Sequence, residues 1–69
     1  MKLSARNVLA GKIVSIKKGP ISSLVVIEIA PGVKLTASIT SEAVKELKLA
    51  KGKSASAVIK SSSILIGVE

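Results

Sequence analysis

Apolar and polar residues alternate along most of this chain with the period of two that a β-strand imposes. From Val8 to Ile16 the run Val-Leu-Ala-Gly-Lys-Ile-Val-Ser-Ile predicts a first strand, with Gly11 as the place for a kink. Lys17 to Pro20 (KKGP) has the composition of a turn. Ser23 to Ala30 (SLVVIEIA) predicts a second strand, rich in β-branched residues and mostly buried on both faces. Pro31-Gly32 supplies a tight turn of the Pro-then-Gly kind. Val33, Leu35, Ala37 and Ile39 then alternate with Lys34, Thr36, Ser38 and Thr40, so the third strand carries the clearest two-residue period in the chain.

The period changes at TSEAVKELKLAKGK. Thr40 or Ser41 can cap a helix, and Glu42 falls in its first turn, where a negative charge favours the helix dipole. Val44 and Leu47, with Ala43, form a one-sided apolar stripe, and Lys48 lies near the C-terminal end. A helix of about two turns does not stand without packing on the sheet. Gly52 closes the connection, and SASAVIK and SSSILIGVE predict two more strands with a polar break at Ser61 to Ser63. Five strands with one short helix between the third and fourth describe an all-β, OB-like, five-stranded Greek-key barrel. Leu3 to Asn7 offer a short extra strand, with a neighbouring subunit as a pairing partner.

Composition adds a reason for such a partner. Sixty-nine residues make a single domain over 1–69. A chain this short buries only roughly 60% of the surface its unfolded form exposes, so its own stability is marginal. There is no cysteine for a disulfide, and with no histidine either, a Cys/His zinc site is excluded. Yet 48% of the residues are hydrophobic, and none of these is aromatic. Aliphatic surface beyond what a small barrel can enclose should be buried against copies of the same chain, which predicts an oligomer. Lys2, Ser4, Arg6 and Asn7 interrupt any apolar run near the start, and no segment approaches the roughly 20 apolar residues of a bilayer span. These features, with the absence of cysteine, predict a cytoplasmic protein without a membrane partner.

The net charge is +7, from eleven Lys and Arg against four acidic residues. That balance favours an anionic partner: nucleic acid, an acidic lipid surface or a small oxyanion. Single-stranded nucleic acid is normally held on aromatic platforms, and this chain has none. Its lysines are also scattered instead of gathered in one run. Small oxyanions therefore come first, and a nucleic-acid-binding OB module is the alternative. Catalysis is disfavoured. No His or Cys is present to serve as the base beside a nucleophile, and Glu42 and Glu46, one helical turn apart among lysines, read as a solvated helix face.

A tetrahedral oxyanion presents four oxygens that, when unprotonated, only accept hydrogen bonds. A site selective for it needs donors alone: N–H groups, hydroxyls, ammonium and guanidinium. Ser4 and Arg6, two residues apart, would share one strand face and aim a hydroxyl and a fork of N–H donors at one point. Lys60 with the serines from Ser61 to Ser63 forms a second donor cluster, and Thr40-Ser41 at the helix start a third. The loop Lys17 to Ser23 is a fourth. Each also has an ordinary explanation, as a solvated terminus, a polar turn, an N-cap and an exposed hairpin connection respectively.

In this order the pieces resemble the molbindins, small proteins of the Mop family built from one TOBE-type, OB-like domain. The resemblance covers essentially the whole chain, through SARNVLAGKIVSIKKG from Ser4, VVIEI from Val25, LTASITSEAVKELKL from Leu35 and GKSASAVIKSSSILIG from Gly52. It implies an intracellular protein that stores or buffers molybdate or tungstate, needs no organic cofactor, and forms a homohexamer built as a trimer of dimers with anions at subunit interfaces. It also implies that Ser4, Arg6, Lys60 and Ser61 are oxyanion ligands, joined by Thr40 and the Ala43 amide. Related regulators tend to carry a serine where Ala43 stands, so only a backbone contact is available there. Gly19, Ser22 and Ser23 are implied as a second oxyanion site where three subunits meet.

Overall fold

The computed structural model describes residues 4–69. Four strands, β1 (Asn7–Lys17), β2 (Ser22–Ala30), β3 (Val33–Thr40) and β4 (Ser54–Ile59), and one helix, α1 (Ser41–Glu46), follow in the predicted order. They form a single antiparallel sheet in the order β3-β2-β1-β4. Ile13, Val25 and Ile27 from the sheet and Val44 from α1 make the buried core, with Ile16, Ile29, Ile39, Leu49, Ala55 and Ala57 packed against it.

Ile13 and Ile16 have opposite parity, yet both contribute to the core. The β1–β2 register shifts between Ile13 and Ser15, so that Ile13 pairs with Ile27 and Ile16 with Val25. The extra residue of this bulge resets the alternation and bends the strand. The irregularity lies there, not at Gly11, where β1 continues without a break opposite Ala55. Gly11 serves a different purpose: a Cβ at that position would collide with the Glu28 carbonyl oxygen. At the β2–β3 hairpin, Pro31 precedes Gly32 at φ 76°, the left-handed conformation that a type II turn demands of its third residue.

Thr40 caps α1 by accepting a 3.0 Å hydrogen bond from the Ala43 N–H. The helix stops after six residues. Lys48 turns left-handed at φ 53°, and the Lys53 ammonium donates to the Leu47 and Lys48 carbonyls at 3.0 Å each. Because α1 ends early, Leu47 is 61% exposed and Val44 alone reaches the core, with Leu49 packing beyond it.

The predicted fifth strand is not paired within the described chain. Ser61–Ser63 form a 3-10 turn, and the residues after it are exposed, Leu65 at 92%, Ile66 at 88% and Val68 at 92%. The sheet therefore closes only halfway. Between its two edge strands lies an apolar cleft of about 690 Å³, lined by Leu35, Ala37 and Ile39 of β3 and Ala55, Ala57 and Ile59 of β4. Of the predicted extra strand at the start, Leu3 lies outside the described residues, Ser4 to Arg6 pair with no strand of their own chain, and Asn7 opens β1.

Candidate functional site

The β1–β4 ladder ends with Asn7 opposite Ile59. Continued by one residue, the same register sets Arg6 opposite Lys60. Two of the predicted donor clusters, Ser4 with Arg6 and Lys60 with Ser61, thus leave the sheet at the same end. Ser4, Arg6, Lys60 and Ser61 are exposed, while Ala5 and Asn7 between and beyond them are half-buried. Although residues 4 to 6 are not a strand, their exposure alternates as a strand would have it. The Asn7 side-chain amide donates to the Ile59 carbonyl and to Ser61 Oγ, at 3.4 Å each. The extended register thus sets two cations at this end of the sheet, and Glu28, Glu42 and Glu46 lie elsewhere in the fold. Glu28 sits in the sheet between Lys12 and Lys34, and Glu42 and Glu46 are on α1. Among the described residues no group of three or more His, Cys, Asp or Glu is gathered that could hold a metal ion directly.

Thr40 and Ala43 lie at the other end of the molecule. Ser22 pairs with Thr40, and the neighbouring Leu24 pairs with Lys17, so the start of α1 adjoins the last residues of β1. The eleven residues of β1 span up to about 33 Å of strand. One chain alone does not bring Thr40 and Ala43 to Arg6 and Lys60. The chemistry at Thr40 still suits an acceptor ligand. Its oxygen takes the Ala43 N–H, which leaves the single hydroxyl proton available.

The candidate second site is a hollow of about 210 Å³ lined by Lys17, Lys18, Gly19, Ser22, Ser23 and their neighbours. Within it the two serines differ. Ser41 Oγ donates to the Gly19 carbonyl at 2.6 Å and lies 2.7 Å from Ser23 Oγ. A hydroxyl has one proton, so Ser41, having given its own to Gly19, must accept from Ser23. Ser23 is 2% exposed and its proton points inward. Ser22 is exposed and lines the hollow together with the two lysines. Gly19 is required by crowding: a Cβ there would stand 2.5 Å from the Ser22 carbonyl oxygen.

Sequence reasoning missed two residues. Asn7 ties the start of β1 to the end of β4 and to Ser61 beyond it; the available signal was an asparagine, a residue depleted in strands, at the first position of one. Of the two cap candidates Thr40 does the capping, and Ser41 locks the Lys17–Ser23 loop, a role the sequence did not suggest. No helix of the described residues is long and apolar enough to cross a membrane.

Residues 3–66 match the TOBE domain family. A probable molybdenum-pterin-binding protein of Haemophilus influenzae is 49% identical over 69 residues, which cover all of both chains. Among solved structures, MopII from Clostridium pasteurianum superimposes with a TM-score of 0.91 at 43% identity, over 97% of this chain and 100% of its own. The cytoplasmic molybdate-binding protein ModG superimposes with a TM-score of 0.95 at 43% identity, covering all of this chain but 49% of its own.

Proposed function

Because this chain belongs to the TOBE domain family, in its molbindin or Mop branch, we propose that it binds molybdate and tungstate as intact oxyanions and serves to store or buffer them in the cytoplasm. One observation carries the reading. The β1–β4 register gathers Arg6, Lys60 and Ser61, with Ser4 just upstream, at one end of the sheet, and leaves the carboxylates of Glu28, Glu42 and Glu46 elsewhere. Arg6 supplies charge with directional donors, Lys60 a second charge, and the serines neutral donors. Such a set binds and does not catalyse.

Thr40 and the Ala43 amide complete the site from a second copy of the chain, because a single chain holds them at the opposite end of β1. The Ala43 N–H is then shared between the Thr40 cap and the anion. Two further features support assembly. The accessible surface is 5634 Å². A compact monomer of 7.0 kDa would expose only roughly 4000 Å². The surplus of about 1600 Å² is roughly twice the 800 Å² or so that one partner contributes to a standard protein–protein interface, enough for contacts with more than one neighbour. The unpaired segment from Ile64 and the open cleft between β3 and β4 also complement each other, so exchange of this segment between copies would supply the fifth strand and bury Leu65, Ile66 and Val68. A trimer of such dimers is the assembly we favour, with Ser22, Lys17 and Lys18 forming the second oxyanion site where subunits meet.

Rigid donors set for the longer metal–oxygen bonds of molybdate and tungstate would leave the hydrogen bonds to sulfate stretched. A thermal-shift series with molybdate, tungstate, sulfate and phosphate, followed by calorimetry, tests the function. Molybdate and tungstate should raise the melting temperature together at a fixed stoichiometry, by linkage of about 2.7 kcal/mol per site at a free ligand concentration 100 times the dissociation constant. Equal shifts with all four anions, or none, would overturn the proposal.

A further inference from the structure

We infer that Asn7 is a positioning residue that keeps the Ser61 hydroxyl a donor toward the bound oxyanion; the inference rests on the molybdate-binding reading above. Asn7 is half-buried at the start of β1, opposite Ile59. The orientation of its amide follows from chemistry. The Ile59 carbonyl can only accept, so the group facing it must be the NH2 end, whose second hydrogen is then available to Ser61 Oγ. Ser61 Oγ is thereby used as an acceptor, and its one proton is turned away from Asn7.

The same amide also donates to the Ile59 carbonyl, which anchors it to the end of β4 and fixes its orientation. Asn7 thereby occupies the acceptor side of Ser61. The 3.4 Å contacts are long for N–H···O hydrogen bonds, so they orient the hydroxyl without contributing much to stability. Thr40 shows the same polarity, accepting from the Ala43 N–H and keeping its proton free. Ser23 shows the reverse, with its proton committed to Ser41. Hydroxyls of both polarities thus occur in this one chain, and Ser61 and Thr40 of the proposed principal site share the donor polarity that molybdate requires.

A double-mutant cycle read by molybdate calorimetry on the assembled protein tests this. Asn7→Ala should weaken binding roughly three- to tenfold, as expected for one misdirected hydrogen bond. Ser61→Ala should weaken it at least as much, and the double variant no further than Ser61→Ala alone. Melting without molybdate should stay near that of the wild type. Asn7→Leu keeps the volume of the side chain without its donors or a new charge, and it serves if Asn7→Ala fails to fold. Its loss should match that of Asn7→Ala. Additive losses in the cycle, or Asn7 variants that bind as the wild type does, would overturn the role of Asn7 while leaving the function standing. A wild-type protein that does not bind molybdate would overturn both.

Discussion

The hydroxyl of Ser23, on β2, lies 2.7 Å from that of Ser41, the first residue of α1, and Ser41 passes the chain of hydrogen bonds on to the Gly19 carbonyl. The loop before β2 is thus fastened to the helix by two side chains, one of them buried. Ser41→Ala removes the shared partner and leaves the Ser23 hydroxyl without its acceptor in a position that water does not reach. That should destabilise the protein by about 1–3 kcal/mol. Ser23→Ala should be milder, because Ser41 retains its bond to Gly19. Denaturant titrations at one fixed protein concentration compare the two, and a reversed order would refute the direction assigned to the chain of hydroxyls.

Gly11 and Gly32 are both needed, for different reasons, and alanine distinguishes them. At Gly32 the space is open and only the positive φ of 76° resists a side chain, so Gly32→Ala should cost about 1 kcal/mol. At Gly11 a Cβ would meet the Glu28 carbonyl and stand 2.8 Å from Ile27 Cγ2, and backbone cannot easily give way. Gly11→Ala should therefore cost more, toward about 3 kcal/mol, by prising β1 from β2. Melting of the two variants under identical conditions checks the order.

The strand from Val33 to Thr40 is legible residue for residue, because one of its faces packs on the core and the other meets water. The bulge in β1 is not. Ile13 and Ile16 look like two-sided burial until the partners Ile27 and Val25 show that both face inward. The apolar run after Ser63 also has the composition of a strand, yet nothing in a sequence says which chain supplies the pairing partner. The donor clusters were readable as residue types; their placement at opposite ends of β1 depends on strand order and register. Asn7 was hidden because an asparagine at a strand start reads as punctuation, and its role emerges only with Ile59 and Ser61 beside it.

Exchange of the C-terminal segment has a direct consequence for assembly. A chain ending at Ser63 keeps all four strands of the sheet but lacks the apolar residues proposed to fill a neighbour's cleft. Sedimentation velocity should show it shifted to smaller species, or aggregating through the uncovered cleft and free strand edges. An unchanged sedimentation coefficient per chain mass would mean that the segment plays no part in holding copies together.

If Arg6 and Thr40 reach one anion only from different copies, two defective proteins should repair each other. Arg6→Ala removes a charged donor from one half of each site, and loss of charge-assisted hydrogen bonds of about 1.5–3 kcal/mol predicts roughly ten- to 150-fold weaker binding. Thr40→Asp damages the other half: aspartate is a good N-cap, so α1 should persist, while its carboxylate repels the anion. Each variant alone has no intact site. Unfolding and refolding the two together in equal amounts distributes chains at random, and a site is whole when its Arg6 half comes from the Thr40 variant and its Thr40 half from the Arg6 variant. Both conditions hold for about a quarter of the sites in a symmetric assembly. Calorimetry should then recover wild-type molybdate affinity at about one quarter of the wild-type stoichiometry. A site contained within one chain would recover nothing, because every chain in the mixture carries one of the two defects.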